Sequence, residues 1–352
     1  MKPTDEDRTP MTGDPNATRT DGGTPEIPLT SVSAESVTRR DRLKDSLANH
    51  WETFLLAWSD WRFKVGLLIM VGYVLLGTLG VYLVDEPSFY DGGKWDQPFQ
   101  GGENLLGTNQ HGESILGSLI HSTPDMLLML LSGAVFATGV AALIGILAGY
   151  KGGRVDSVLT TLTDTAMMIP GLPLIILIAA IWNPTNPIVV GILVSINAWA
   201  GVARSLRSQV LTIREESYVE ASRIMGSGSL SIMRRDITPQ LLPLILINFV
   251  MSGRGVIFNS VALYFLGILP ITQAQNWGVM LNEAYTAGAV TSPELFYTLF
   301  FPLVTIVLLS WSLIMLSQGL DRVVNVRARA RHEGTTREGG QVGEAGEATE
   351  GG

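Results

Sequence analysis

The sequence predicts an all-α membrane protein of six spans, and three observations carry that prediction. Hydrophobic residues make up 46% of the 352 and charged residues only 16%, where a soluble domain carries about a quarter. Six apolar stretches are long enough to cross a bilayer, which takes about 20 residues because backbone groups in hydrocarbon must pair within their own segment. Lysine and arginine alternate between successive connections. The formal net charge of -8 does not oppose this, because most acids sit in two tails and one loop.

The elements follow in order. Residues 1–38 are rich in Thr, Pro, Asp, Glu and Gly and hold no apolar run. They cannot offset their ordering entropy, so they are expected to be a disordered tail, and they do not resemble a cleavable signal. Residues 39–63 carry Leu43, Leu47, Trp51, Phe54, Leu55, Trp58 and Trp61 at spacings of three or four. That stripe predicts an amphipathic helix in the membrane surface, or one packed on another protein helix. The spans are expected at Val65–Val84, Met126–Tyr150, Val158–Trp182, Ile188–Leu206, Leu244–Leu269 and Leu299–Leu320. Pro170 and Pro173 should kink the third. Gly66, Gly72, Gly77, Gly80, Gly133, Gly139, Gly145 and Gly149 would permit close helix approach. Residues 330–352 are expected to form a second disordered, acidic tail.

Orientation comes from the basic residues. Arg39, Arg40, Arg42, Lys44, Arg62 and Lys64 precede the first span. Lys151 and Arg154 follow the second, five arginines from Arg207 to Arg235 follow the fourth, and four from Arg322 to Arg331 follow the sixth. The opposite connections hold only Lys94. By the positive-inside rule both termini face the cytoplasm of a multi-pass cell-membrane protein.

Between the fourth and fifth spans lies a long inward loop, about Arg207–Leu242. Tyr218–Met225 has good helix formers, Gly226 and Gly228 would stop it with a left-handed turn, and a second helix Leu230–Ile237 would end before Pro239. Glu220-Ala221, Gly226, Ile237 and Pro239 keep the spacing Glu-Ala-Ala, three residues, Gly, ten residues, Ile, one residue, Pro. This resembles the cytoplasmic signature of permease subunits in ATP-binding-cassette (ABC) importers. Ser222 replaces its second Ala, and Thr238 stands where Leu is common.

Four further segments resemble the C-type permease of the dipeptide, oligopeptide and nickel importers: Leu106-Gly107-Thr108-Asn109, Ala148-Gly149-Tyr150-Lys151-Gly152-Gly153-Arg154-Val155-Asp156, Phe265-Leu266-Gly267 and Trp277-Gly278-Val279-Met280-Leu281. The resemblance spans about Lys64–Arg329. It departs at Asn109, Glu113 and Ser114, where that branch commonly has Asp, Arg and Asp, so contacts made by those charges are in question.

The resemblance implies a six-span permease domain, 64–329, in the type I ABC importer arrangement. Its coupling helix would dock on ATPase subunits through Glu220, Ala221, Gly226, Ile237 and Pro239. Implied partners are a homologous second permease subunit, two cytoplasmic ATPase subunits, an extracellular solute-binding protein, membrane lipid and a small solute such as a peptide. No nucleic acid and no cofactor are implied. A stand-alone secondary transporter or channel is the alternative, for which Asp164 in the third span is the sole support.

Arg254 lies about 10 residues into the fifth span, roughly 15 Å along it. A cation there costs about 2.5–3.5 kcal/mol on insertion scales and should face protein or water. Two readings stay open: Arg254 and Asp164 line a translocation path, or they pair with each other. No Gly-x-x-x-x-Gly-Lys-Ser/Thr loop occurs, His111 and His121 lack metal-ligand spacing, and no catalytic constellation can be assembled. The chain is therefore not expected to be an enzyme.

Overall fold

The computed structural model describes residues 58–89, 92–100, 104–270 and 276–347, with side chains through Arg322. The tail expected at 1–38, most of the surface helix at 39–63 and the side chains of the tail at 330–352 lie outside those residues. The described residues are helical, with a single isolated bridge between Thr108 and Ser114. Four helices are long and apolar enough to cross a membrane, and two bent pairs would bring the number to six.

The first span, Trp61–Leu83, begins as α1, Trp61–Leu75, and continues through a π turn at Leu76–Gly80. Asp60 caps it by accepting from the Arg62 N–H at 2.8 Å. Gly66 lets it press on the last helix, where the Ser312 hydroxyl donates to the Gly66 carbonyl at 2.7 Å. The same Asp60 accepts from Arg322 Nη1 at 2.8 Å, tying the first span to the end of the last. That guanidinium and the Arg62 N–H hold the Asp60 carboxyl below its usual value of 3.8. Since the folded state binds the proton less tightly, the clasp stabilises above about pH 4 and is lost as pH falls further. Arg322 is largely exposed, so its worth is under about 1 kcal/mol. Melting in detergent at falling pH should show Asp60→Asn destabilised at pH 6 and its difference from the parent shrinking as the pH drops below about 4.

The central helix, α2, runs Ile115–Lys151, starting eleven residues before the span expected at Met126. Polar residues and Pro124 hid that beginning. Ser114 caps it, and Ser118, Ser122 and Thr123 turn their hydroxyls onto carbonyls one turn back, so polar side chains sit buried without orphaned groups. Its close contacts are made at glycine. A Cβ on Gly133 would stand 2.5 Å from both the Gly191 carbonyl oxygen and Val256 Cγ2, whereas one on Gly139 meets nothing within 4 Å. Gly72 is likewise open, so two of the eight glycines named above serve no close approach. Gly133→Leu should cost at least about 1–3 kcal/mol by overpacking, and Gly139→Leu almost nothing. Paired thermal melts in detergent would read the difference.

The third segment divides into α3, Gly153–Met168, and α4, Gly171–Trp182, bent by 82° where Pro170 interrupts the backbone. The fourth was expected unbroken. Instead α5, Pro187–Val194, and α6, Trp199–Ile213, bend by 61°. Ser195 donates its hydroxyl to the Gly191 and Ile192 carbonyls at 3.0 Å, and Asn197 donates to Ile169, so side chains compete here with the helical ladder.

After α6 come the short helices α7, Ser217–Ile224, and α8, Ser229–Ile232. A π turn at Met233–Ile237 joins α8 to α9, Thr238–Phe265. The chain therefore does not stop before Pro239. Proline's missing N–H is tolerated in the first turn of α9, and the Thr238 hydroxyl takes up the Met233 carbonyl at 2.7 Å.

On the other side, α10, Trp277–Thr286, precedes α11, Phe296–Glu347. Trp277 is fully buried, donates Nε1–H to the Leu119 carbonyl at 3.3 Å and meets Tyr73 edge-on. Gly278 admits the Val261 carbonyl at a distance no Cβ would allow.

Two main apolar cores result, beside a small third cluster of Phe63 and Leu316. The larger joins Met126, Met129, Ile257, Leu263, Trp277 and Leu309. The smaller joins Ala141, Leu206, Val210, Val219, Ile232, Ile237 and Leu241. The departures noted at Asn109, Glu113 and Ser114 have structural work: Asn109 donates to Glu113 at 2.6 Å and accepts from two backbone N–H groups, while Ser114 caps α2.

Candidate functional site

The smaller core fixes an elbow. Val219, fully buried, is the only residue of α7 that enters it, alongside Ile232, Met233 and Ile237 from the returning chain. Around that anchor the rest of α7 is open. Gly226 ends the helix with φ +78°, its N–H bonding the Arg223 carbonyl at 3.0 Å while Ser227 N–H bonds the Ser222 carbonyl at 3.1 Å. Both orphaned carbonyls are thereby met, and a glycine avoids the left-handed penalty. Gly228 has an ordinary extended backbone and caps α8 instead, contrary to the expectation that it too would turn left-handed.

The motif residues separate into two groups. Glu220, Ala221 and Gly226 face solvent, and Pro239 is exposed in the first turn of α9. Ile237 is buried, so it holds the elbow to the spans and cannot itself touch a docked protein. Glu220 makes no ion pair among the described residues and borders an open cleft of about 810 Å³ with Tyr150, Lys151, Arg214 and Arg223. The Arg223 guanidinium lies 5.9 Å over the Tyr150 ring, and Gln240 donates to the Tyr218 hydroxyl, bracing the elbow from both sides.

Sequence reading missed the most telling residues. Ile224, Met225 and Leu230 are 80%, 76% and 74% exposed at the elbow's tip. Exposed apolar side chains of this size on one short elbow are surface that water does not favour. Their signal was their place beside Gly226 and Gly228, although Leu230 also falls at the start of the long apolar helix Ser229–Phe265.

Behind the elbow, ion pairs tie α3 to α6. Arg207 grips Asp156 with both arms, Nε to Oδ1 at 2.5 Å and Nη2 to Oδ2 at 2.7 Å. Arg204 pairs with Asp164. Arg214 Nη1 donates to the Gly149 carbonyl at 3.0 Å and so closes the end of α2. Because α3 buries no residue except Thr163, these charges are its chief tie to α6. The Arg254–Asp164 pair considered above does not form, since Asp164 is engaged by Arg204. Arg254 stays half-buried on α9, with its guanidinium 5.5 Å over the Phe258 ring and a buried Nε that has no hydrogen-bond partner.

Residues 141–330, which hold the elbow, both ion pairs and Arg254, match the family described as binding-protein-dependent transport system inner membrane component. The chain is also similar to the dipeptide transport system permease protein DppC of Bacillus subtilis, 26% identical over 64% of this chain and 70% of that protein. It is 31% identical to the di/tripeptide transport system permease protein DppC of Pseudomonas aeruginosa, over 58% and 64% of the two chains. To the oligopeptide transport system permease protein OppC of Lactococcus lactis it is 26% identical, over 76% and 91%.

Proposed function

The chain belongs to the family of binding-protein-dependent transport system inner membrane components, and on that premise we propose that it is the permease subunit of an ATP-driven importer for peptides or similar small solutes. One observation carries the coupling assignment. Exposed Ile224, Met225 and Leu230 flank the turn after α7, whose Glu220 makes no ion pair among the described residues and whose Val219 pins it to the spans. Two cytoplasmic ATPase subunits grip that elbow, and a homologous second permease completes the path. Catalysis resides on the ATPases. A solute-binding protein delivers cargo from outside, where the Asp85–Ser114 connection and the chain from Pro270 to Thr298 form the receiving face. Both termini lie in the cytoplasm, in keeping with the basic residues beside the elbow and with the Asp60–Arg322 clasp joining the two ends.

In this mechanism closure of the ATPases displaces α7. The displacement passes through Val219 into the smaller core, along the ion pairs into α3 and through the π turn into α9. The stand-alone transporter reading relied on Asp164 as a mid-membrane acid, and that carboxylate is already engaged by Arg204.

The experiment is co-expression with a second permease and ATPase subunits from the same organism, purification on a tag carried by this chain, and reconstitution in vesicles. ATPase subunits should co-purify, and a short peptide should accumulate only with ATP and the binding protein. Full uptake by the chain alone would defeat the assignment.

A further inference from the structure

Two exposed faces of the bundle differ in chemistry. On α2, Leu128, Leu131, Val135 and Leu143 stand 43–62% exposed, an apolar stripe that suits lipid tails. The face shared by α3 and α6 is unlike it. Ser157, Thr161 and Thr165 recur at every fourth position of α3, and Gly201, Ser205 and Ser208 at intervals of four and three along α6, and all six are exposed.

The ion pairs place both stripes on one side. Asp156 meets Arg207 and Asp164 meets Arg204, so numbering rises along α3 as it falls along α6, and the helices run antiparallel. Ser157 and Thr165 follow Asp156 and Asp164 by one residue, and Ser205 and Ser208 follow Arg204 and Arg207 likewise, a turn of about 100° in each case. An equal turn of the same hand from the facing side of two antiparallel helices ends on the same side of the pair. The other flank of α3 carries Val158 and Leu162, 67% and 50% exposed.

Neither stripe is confined to the membrane's edge. Thr165 stands about 18 Å along α3 from its start at Gly153. On α6 the Ala203 carbonyl, beside Gly201, packs on Gly145, which lies about 9 Å short of the end of α2. Between the stripes the Arg204 and Asp164 side chains remain 55% and 40% exposed. Charges in membrane-spanning segments face protein or a water-filled cavity, so hydrocarbon does not cover this pair. A Cβ on Gly201 would meet nothing within 4 Å, so no helix among the described residues closes over the face. The Thr161 and Thr165 hydroxyls donate to carbonyls one turn back at 2.8 Å, which leaves their oxygens as acceptors.

We propose that this face is the wetted wall of the translocation path, a hydroxyl-lined surface whose charges cancel and whose oxygens accept from the N–H groups of a passing solute. The proposal rests on the importer reading above and adds to it the surface along which solute moves.

The chain has no cysteine, so single cysteines report without background when labelling is read by mass on this chain. The assembled complex is treated in vesicles with a small cationic methanethiosulfonate on both sides. A thiol among lipid tails keeps its proton, and each unit by which its pKa exceeds the working pH cuts the reactive thiolate about tenfold. Thr161→Cys, Thr165→Cys and Gly201→Cys should therefore react at least about ten times faster than Val158→Cys and Leu162→Cys, which sit at similar depth on the opposite flank. Modification should also lower each fast variant's own uptake of dialanine. Equal rates on the two flanks would overturn the wall, and so would fast labelling that leaves uptake unchanged, while dialanine import by the cysteine-free parent keeps the importer intact. A parent complex that carries no dialanine overturns the peptide reading instead, and the contrast between flanks still judges the wetted face.

Discussion

Ile224→Asp combined with Leu230→Asp is expected to strip the ATPase subunits from the complex and bring peptide uptake to background. Both side chains are almost fully exposed, so the spans should fold and the purified chain should melt at the parent temperature. Truncating one interface anchor commonly costs about 2 kcal/mol or more, roughly 30-fold in affinity, and a charge introduced into an apolar groove costs further. Val219→Asp provides the contrast. That residue is buried in the smaller core, so its replacement should lower the melting temperature as well as association. Wild-type recovery of ATPase subunits on the double variant would remove the elbow from its assigned role.

Asp156→Ala should uncouple the transporter without dismantling it. The change leaves the Arg207 guanidinium, about 29% exposed, without its two-armed acceptor. For a fully buried pair the loss runs to about 3–5 kcal/mol, and partial exposure reduces it to about 1–3 kcal/mol here. With only Thr163 buried along α3, the Arg204–Asp164 pair is then the main tie to α6 that remains. Solute delivered per ATP hydrolysed should fall about fivefold or more, since each 1.4 kcal/mol is a factor of ten in an equilibrium. Exchanging the charges, Asp156→Arg with Arg207→Asp, should recover much of the loss. A double-mutant cycle on that ratio separates coupling from general damage. An additive cycle would mean the pair does not carry motion.

What the sequence disclosed, and what it concealed, follows physical lines. The first, fifth and sixth spans were legible because long apolar runs have no other stable use, and the bend at Pro170 because proline lacks a donor. Gly226 was legible because few other residues end a helix in that conformation. The interruption at Ser195–Ala198 was hidden, since serine and asparagine are tolerated in membrane helices and only the Asn197–Ile169 bond reveals their competing use. The early start of α2 was hidden because its polar residues satisfy themselves on their own helix. Arg204 as the partner of Asp164 was invisible, because pairing across 40 residues depends on how two bent segments meet. Ile237 sits in the motif for packing, a role that spacing alone does not separate from contact.

The π turn at Met233–Ile237 has one more consequence. It makes Ser229–Phe265 a single 37-residue rod, about 55 Å long at 1.5 Å per residue. A twist at the foot of such a continuous helix would pass to the turns above it. The wider turn sets the phase between Leu230 at the foot and the faces of α9 higher up. Drawn tight to the ordinary pitch, it would swing those faces by a fraction of a revolution, so a change of winding over five residues would suffice to reorient α9.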